Sequence, residues 1–330
     1  MREYLLKRAI IAAGVLFLVA ALNFTIFQVM WAGDPTSTIM DPTFTLEQKQ
    51  MLLELYGLLE PLHIRFFKYI KNMFTWDFGI SFLSMAPVAQ EMSWRLYNTV
   101  LLLGTATVGT IMLGIAVGVF AGSRRGTKSD AFVLGVGLFA DGVPTFFIQM
   151  IFLLFFSYLF YLWFGFQVFP ARHMTSVPPP SDPLTYMADL AWHLAQPALS
   201  LIIAAFGGWA LYVRNLMIDA LTQDYIVTAR AKGLSERSVL YRHAFKSILP
   251  PISTIITLAI PGIITGAMIT EYIFTWPGIG SWYIAALNAN DYPVVQAVLF
   301  VYAVLVILCN FVSDLLYGVL DPRIRVGVRR

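Results

Sequence analysis

The chain has 330 residues, of which 58% are apolar and only 12% are charged, whereas an ordinary soluble domain is roughly a quarter charged. This composition excludes a soluble globular protein and indicates an integral membrane protein. The formal net charge is +3, and the single cysteine, Cys309, excludes a disulfide within the chain.

Six long uncharged runs predict the membrane-spanning segments. Crossing a hydrocarbon core of about 30 Å takes roughly 20 residues of helix. Backbone polar groups must pair internally in lipid, and the runs are continuously apolar rather than alternating, which favours helices over a barrel. The sequence therefore predicts an all-α membrane protein with about six transmembrane helices. The runs are residues 9–33, 96–123, 142–171, 191–213, 247–270 and 292–313.

The distribution of lysine and arginine predicts the orientation of these helices. With both termini in the cytoplasm, 16 of the 22 basic residues lie on the cytoplasmic side, in clusters at 2–8, 124–128, 214–246 and 323–330. Such a bias is the positive-inside rule. This bias accounts for the net positive charge of the chain. Nucleic acid is therefore not an expected partner.

The first run is predicted to be a retained helix, and an extracytoplasmic loop domain follows it at 34–94. The run is 25 residues long, whereas the apolar part of a secretory signal has 7–15. In the loop, Thr45 and Gln48 form a capping-box pattern that predicts an amphipathic helix. Its apolar side would be Leu46, Met51, Leu52, Leu55 and Leu58. This helix would either contact an external partner or pack as a lid on the chain's own helices.

Glycines at a spacing of four residues mark two faces of the predicted transmembrane core, residues 95–320. One face has Gly114, Gly118 and Gly122, and the other has Gly262 and Gly266. Small residues at this spacing let membrane helices approach closely. Packing within the helix bundle is the favoured interpretation, and lining of a pore is the alternative. The proline-rich segment 172–192 is predicted to be an extended connector.

The largest predicted cytoplasmic loop, residues 214–250, has the pattern of a helix, a turn and a second helix. Good helix formers run from Arg214 to Ala231. Gly233 then suits the left-handed conformation that ends a helix, and Ser235 is a candidate N-cap with Glu236 in the first turn. The loop could be a basic surface touching anionic lipid. Two capped helices are more structure than lipid attraction requires, so docking of a cytoplasmic partner is favoured.

A segment at 122–129 imitates a nucleotide-binding loop. Its sequence is GSRRGTKS, but a phosphate loop needs glycine directly before the lysine and a strand before the loop. Thr127 precedes Lys128 instead, and the preceding run is predicted to be a helix. Nucleotide binding is therefore not predicted, and the scattered histidines and acids predict neither a metal site nor a catalytic cluster.

Residues 223–250, QDYIVTARAKGLSERSVLYRHAFKSILP, resemble the signature loop of permease subunits in dipeptide- and oligopeptide-type ABC importers. Motifs along the whole chain are similar to that family as well. Within the family pattern, residues 227–229 read VTA where the broader consensus has Glu-Ala-Ala, and residues 142–145 read GVPT where Ser-Ile-Pro-Ser is usual. The further motifs are AGDP at 32–35, WDFGIS at 76–81, WPGIG at 276–280, DYPVVQ at 291–296 and LDPRIR at 320–325.

The resemblance implies the permease architecture of a type I importer in the cell membrane. It implies no enzyme activity and no cofactor in this chain. It also implies four partners: a homologous second permease subunit, two cytoplasmic ATPases and an external substrate-binding protein. Residues 321–330 would be a cytoplasmic tail. The residues that would couple the chain to the ATPases are Asp224, Tyr225, Thr228, Ala229, Arg230, Ala231, Lys232, Gly233, Leu234 and Ser235.

Two questions remain open from the sequence. Peptides are the first substrate class, and beta-linked oligosaccharides are the second, since Tyr272, Phe274, Trp276, Trp282 and Tyr283 could stack on sugar rings. These aromatic residues equally suit a membrane-interface belt. A self-sufficient secondary transporter or channel is the competing function class. Its ionisable residues would be Asp141 and Asp314, which both fall near predicted helix ends.

Overall fold

A computed structural model describes residues 2–30, 45, 47, 50, 54, 59–265 and 268–320, and within them the chain is helical and has no β-strand. The predicted all-α class is therefore confirmed. The first five helices whose bounds the structure describes are α1 (Arg2–Phe24, extended by the π-helical Thr25–Met30), α2 (Leu62–Thr75), α3 (Val88–Ser123), α4 (Lys128–Gly142) and α5 (Thr145–Phe164).

The later helices are α6 (Pro183–Leu221), α7 (Asp224–Ala231), α8, α9 (Met268–Ile273), α10 (Ile279–Asn288) and α11 (Tyr292–Leu320). Helix α8 is a continuous run of three segments, Glu236–Ser238, the π-helical Val239–Ala244 and Phe245–Thr265.

Among the residues that the structure describes, five helices are long and apolar enough to cross a membrane: Lys7–Val29 of α1, α3, α5, α6 and Tyr292–Phe311 of α11. They correspond to five of the six predicted runs. The remaining run, 247–270, coincides with the last segment of α8, Phe245–Thr265, and the first residues of α9. The count of six spans and their orientation remain predictions.

Two of the predicted boundaries were wrong. The run 142–171 is helical only to Phe164, because Gly165 adopts φ +75° and its N–H caps the helix on the Tyr161 carbonyl. The predicted connector 172–192 is non-helical only to Asp182. That carboxylate accepts a hydrogen bond from the Thr185 N–H and caps α6, with Pro183 at its first position. Both are standard start signals for a helix.

The chain forms two compact units, of which the first comprises residues 1–99, 264–268 and 277–330. In this unit α1 packs on α11, and the Asn23 side-chain amide donates to the Gln296 carbonyl (2.9 Å). Phe24 and Tyr69 bring their rings to 5.5 Å in a core completed by fully buried residues of α11 such as Val298.

Two motifs noted in the sequence meet in the first unit. Ser81, in the motif at 76–81, donates to the Asp291 carboxylate at 2.5 Å, and the Leu83 N–H donates to the same oxygen at 3.1 Å. Asp291 is buried and precedes the first residue of α11, where a negative charge complements the helix dipole. A polar contact across 210 residues of sequence thus fixes the segment before α3 to the start of α11.

The second unit comprises residues 100–263 and 269–276. Helix α6 contacts both α4 and α5, and its far end packs into an apolar cluster with α7 and α8. A second cluster is centred on Trp276, which is fully buried with Leu102 and Ala198. The long helix α6 is therefore the element around which the unit is built.

Several sequence predictions lie outside the described residues. The amphipathic side of the predicted helix at Thr45 (Leu46, Met51, Leu52, Leu55, Leu58) and the tail 321–330 belong to this group. So do Gly266 and the side-chain surroundings of Gly262 and Asp314. The predicted domain divisions therefore stay predictions.

Candidate functional site

The loop 214–250 contains a helix break that the sequence pattern missed. A continuous helix from Arg214 to Ala231 was expected, but α6 ends at Leu221 and α7 begins at Asp224. Gln223 is extended (φ −77°, ψ 151°), and the Thr222 hydroxyl donates to the Asp219 carbonyl at 2.9 Å. These side chains compete with the backbone for hydrogen bonds and favour helix ends. Helix α7 is therefore a separate element.

One face of α7 is fixed to the second unit by apolar packing. Ile226 is fully buried and Ala229 is 4% exposed; they lie three residues apart, on one side of the helix. Their cluster also contains Met217 of α6 and Val239 of α8. The Tyr225 hydroxyl and Ser247 Oγ add a hydrogen bond of 2.8 Å between α7 and α8.

The opposite side of α7 and the turn after it are exposed. Val227 is 61% exposed and Leu234 is 40% exposed, in a loop otherwise rich in charge. We call this side the docking face; its exposed residues are Asp224, Tyr225, Val227, Thr228, Arg230, Ala231, Lys232, Gly233, Leu234 and Ser235.

The turn has the hydrogen bonds of a Schellman motif. Gly233 adopts φ +75°, as the sequence predicts, and its N–H donates to the Arg230 carbonyl at 2.9 Å. The Leu234 N–H donates to the Ala229 carbonyl at 3.4 Å. Ser235 then caps α8, accepting from the Ser238 N–H at 3.4 Å.

An ion pair crosses this turn. Arg230 Nε and Nη2 lie 2.9 Å and 3.2 Å from the two carboxylate oxygens of Glu236. Both side chains are well exposed, at 46% and 72%, so the pair contributes little to stability, about 0–1 kcal/mol.

All ten residues predicted from the loop lie in α7, the turn or the cap of α8. Nine of them are on the docking face, whereas Ala229 is buried and supports the helix from beneath. The sequence reasoning missed Ile226, although its spacing of three from Ala229 was a usable signal. It could not have found the contact of Tyr225 with Ser247, because nothing local indicates that pairing.

The glycines of α3 lie directly against α6. A Cβ built on Gly114 would come 2.3 Å from Trp209 Cβ, and one on Gly118 would come 2.7 Å from the Ala210 carbonyl oxygen. Gly122 likewise faces Met217, whose Cβ would be 2.6 Å away. Real Cβ atoms do not approach so closely, so the two backbones are in contact only because these side chains are absent.

A second close approach was not expected from the sequence. A Cβ on Gly207 of α6 would lie 2.2 Å from the Gly137 carbonyl oxygen of α4. Small residues thus bring both α3 and α4 against α6.

A buried ion pair joins α4 to α6 near the loop. Arg214 donates to both Asp130 oxygens, from Nε at 2.5 Å and Nη2 at 2.8 Å, and Asp130 is 2% exposed. The Gly126 N–H donates to the same carboxylate at 2.9 Å. The hydrogen bonds from Arg214 hold the pKa of Asp130 below its usual value. The two residues are 84 positions apart in the sequence, so no local pattern predicts their pairing.

A cavity of about 340 Å³ lies beside α5 in the second unit. Tyr158, Tyr161, Gln167 and Arg172 line it together with aliphatic side chains. The Ser157 hydroxyl donates to the Phe169 carbonyl at 2.9 Å and ties the segment after α5 back to that helix. Arg172 is exposed and makes no ion pair within the part of the chain that the structure describes.

Residues 114–326 match the family described as binding-protein-dependent transport system inner membrane component. The chain belongs to this family. It is a multi-pass membrane permease and not an enzyme. The matched residues include the loop, the docking face and all three glycine contacts of α3.

Named relatives cover the permease almost from end to end. It is 33% identical to the oligopeptide transport system permease protein of Bacillus subtilis, over 98% of this chain and 99% of the relative. It is 33% identical to a dipeptide transport system permease protein of Lactococcus lactis, over 99% and 100%. It is 31% identical to the glutathione transport system permease protein of Escherichia coli, over 98% and 99%.

The described residues of the permease contain no group of three histidine, cysteine or acidic side chains that could hold a metal ion. Asp141, a candidate for ion coupling in a secondary transporter, is exposed at the end of α4. The loop 214–250 is therefore the candidate functional site: α7 has one buried side and one exposed side, and a capped turn follows it.

Proposed function

We propose that the permease is the transmembrane subunit of an ATP-driven importer, and that the docking face binds a cytoplasmic ATPase subunit. The observation that carries the proposal is the two-sidedness of α7. Ile226 and Ala229 are buried in the helix bundle while Val227 and Leu234 are exposed on the other side. A force applied to the docking face would reach α6 and α8 through the buried side.

The proposed complex contains two permeases, two ATPases and an external binding protein. The family description supports the binding protein, because it names transport that depends on one. The resemblance of the loop to ABC importer permeases supports the ATPases and a homologous second permease. This chain would supply the pathway and the contact surface, and ATP hydrolysis would occur in its partners.

Peptides are the substrate class that we propose. Three of the five aromatic residues considered for sugar stacking are inaccessible: Phe274 is 2% exposed, Trp276 is fully buried and Trp282 is 5% exposed. This burial weakens the case for oligosaccharides. The cavity beside α5 offers Arg172, whose guanidinium suits a carboxylate, a group that peptides carry and neutral sugars lack. The peptide-named relatives point the same way.

The docking face is tested by Val227→Glu in the complete complex. The glutamate would stay solvent-exposed in the free permease but would be buried without a partner charge against an ATPase, which costs several kcal/mol. We expect the ATPases to dissociate on purification and uptake to be lost. Val177→Glu is the matched control, since Val177 is 83% exposed and lies outside the loop. Retention of the ATPases by Val227→Glu would remove the docking face from the interface.

The substrate is tested with the complete complex in liposomes, supplied with the binding protein and ATP. Uptake of a labelled oligopeptide should exceed that of a cello-oligosaccharide. Arg172→Gln should lower uptake of a peptide with a free carboxyl terminus more than that of the same peptide amidated. Transport of sugar alone would contradict the substrate proposal while leaving the docking face intact.

A further inference from the structure

An apolar slot of about 640 Å³ lies between the end of α3 and the beginning of α4. Ala116, Val117 and Phe120 line it from α3, and Phe132 and Val133 line it from α4. Its volume is in the range of pockets that bind small molecules. Lys128 and Ser129 are the polar residues of its lining, and both belong to the first turn of α4.

The polar end of the slot is positively charged. Lys128 is exposed and makes no ion pair within the part of the chain that the structure describes. The Arg124 guanidinium lies 4.1 Å above the Phe120 ring, beside the slot. The one acidic side chain in this segment, Asp130, is already engaged by two hydrogen bonds from Arg214. The amino end of α4 adds the positive end of its dipole.

We propose that this slot binds one anionic phospholipid. Helix α3 is long and apolar enough to span a membrane, and the charged end of the slot lies where that helix ends. A ligand that complements both parts must have a hydrocarbon chain and an anionic head group. An acyl chain would lie against Phe120, Phe132 and Val133, and the lipid phosphate would pair with Lys128 and Arg124.

Other occupants complement the slot less well. Free phosphate would pair with the cations but leave the apolar lining without a partner. A zwitterionic lipid would fill the slot but gain less from Lys128 and Arg124. The sequence at 122–129 resembles a phosphate loop but lacks the glycine directly before Lys128 and the preceding strand. It thus has an anion-binding role that needs no nucleotide.

The site has a consequence for the loop. Lys128 and Ser129 begin the helix that Asp130 joins to Arg214 of α6, seven residues before α6 ends. The lipid therefore contacts an element attached directly to the helix that precedes α7. A bound lipid would stabilise the position of α4 against α6.

The test is native mass spectrometry of the purified, complete complex. Phosphatidylglycerol and phosphatidylcholine with identical acyl chains are added separately, and the lipid retained per complex is measured. Wild type should retain the first more strongly than the second. Lys128→Gln should lower retention of phosphatidylglycerol by about fivefold, the factor expected for one lysine at an anionic surface, and Lys128→Arg should preserve it. Ala116→Phe, which fills the slot, should lower retention of both lipids.

Lys7→Gln is the control. It removes an exposed cation from the basic cluster at 2–8, which is also predicted to be cytoplasmic, and Lys7 does not line the slot. Equal retention of the two lipids by wild type would mean annular lipid only and would overturn the proposal. So would unchanged retention in both Lys128→Gln and Ala116→Phe. A cross-link from Ala116→Cys to a protein partner would show that a protein covers the slot, which would also overturn it.

Discussion

Replacement of Gly233 tests whether the turn between α7 and α8 couples ATP hydrolysis to transport. Gly233 has φ +75°, and no heavy atom lies within 4 Å of a Cβ built there. A side chain would therefore meet no obstacle, and the cost is the left-handed backbone alone, about 1–2 kcal/mol. An energy of that size shifts a conformational equilibrium by about 5- to 30-fold.

A graded series separates backbone strain from side-chain bulk. Asparagine tolerates the left-handed region, so Gly233→Asn should retain most of the coupled uptake. Gly233→Val combines a positive φ with a branched side chain and should re-aim α8 relative to α7. We expect normal insertion, with ATP hydrolysed but uptake per ATP reduced at least about fivefold.

Gly165→Val is the matched control for the strain. Gly165 has the same φ of +75°, also with open space around it, but it lies at the end of α5 rather than in the loop. Both valine variants should lose similar stability, and only Gly233→Val should uncouple. The assay is uptake and ATP hydrolysis measured together with the complete complex in liposomes. Coupled uptake near that of wild type in Gly233→Val would refute the role assigned to the turn.

Three further predictions concern the framework. Asp130→Asn should destabilise the permease by about 1–3 kcal/mol, because it leaves the partly buried Arg214 guanidinium without its counter-charge. Thermal unfolding should show this loss, and recovery in Asp130→Asn with Arg214→Gln would confirm the pairing. Since the folded-state pKa of Asp130 is lowered, its contribution is present above the unfolded pKa of about 3.9 and is lost as pH falls through the folded value. Gly118→Ala should lower thermal stability because its Cβ would collide with the Ala210 carbonyl, whereas Gly104→Ala in the same helix meets open space and should not; equal effects would contradict the contact with α6. In a Cys309→Ala background, cysteines at Ser235 and Ser129 should react with impermeant thiol reagents only from the cytoplasm and one at Thr43 only from outside; labelling of Ser235 from outside would reverse the orientation.

Membrane spans were predictable from the sequence because lipid imposes one simple requirement on length and polarity. The runs at 9–33, 96–123 and 292–313 all correspond to helices of sufficient length. Their ends were less predictable, since helices α3 and α6 continue beyond the uncharged runs into polar residues at 88–95 and 214–221. Charge marks where lipid ends, whereas a helix ends where its hydrogen bonds are capped.

Local geometry in the loop was predictable where one residue type is required. A glycine followed by serine and glutamate predicts a left-handed turn and an N-cap, and both are present at Gly233 and Ser235. The break at Gln223 was missed because helix propensity there is only weakly unfavourable. Pairings such as Ser81 with Asp291 depend on the tertiary fold and leave no local pattern.

The division of the loop into two helices explains how a small contact surface could act on the whole unit. If residues 214–231 formed one helix, α7 would continue the axis of α6, and a partner could bend its end with little effect on α8. Because the helix is interrupted at Gln223, α7 instead packs Ile226 against residues of both α6 and α8. The break therefore gives α7 contact with two helices at once. A partner that moves the docking face must displace both together, because Ile226 is fully buried and a close-packed interior transmits such displacement.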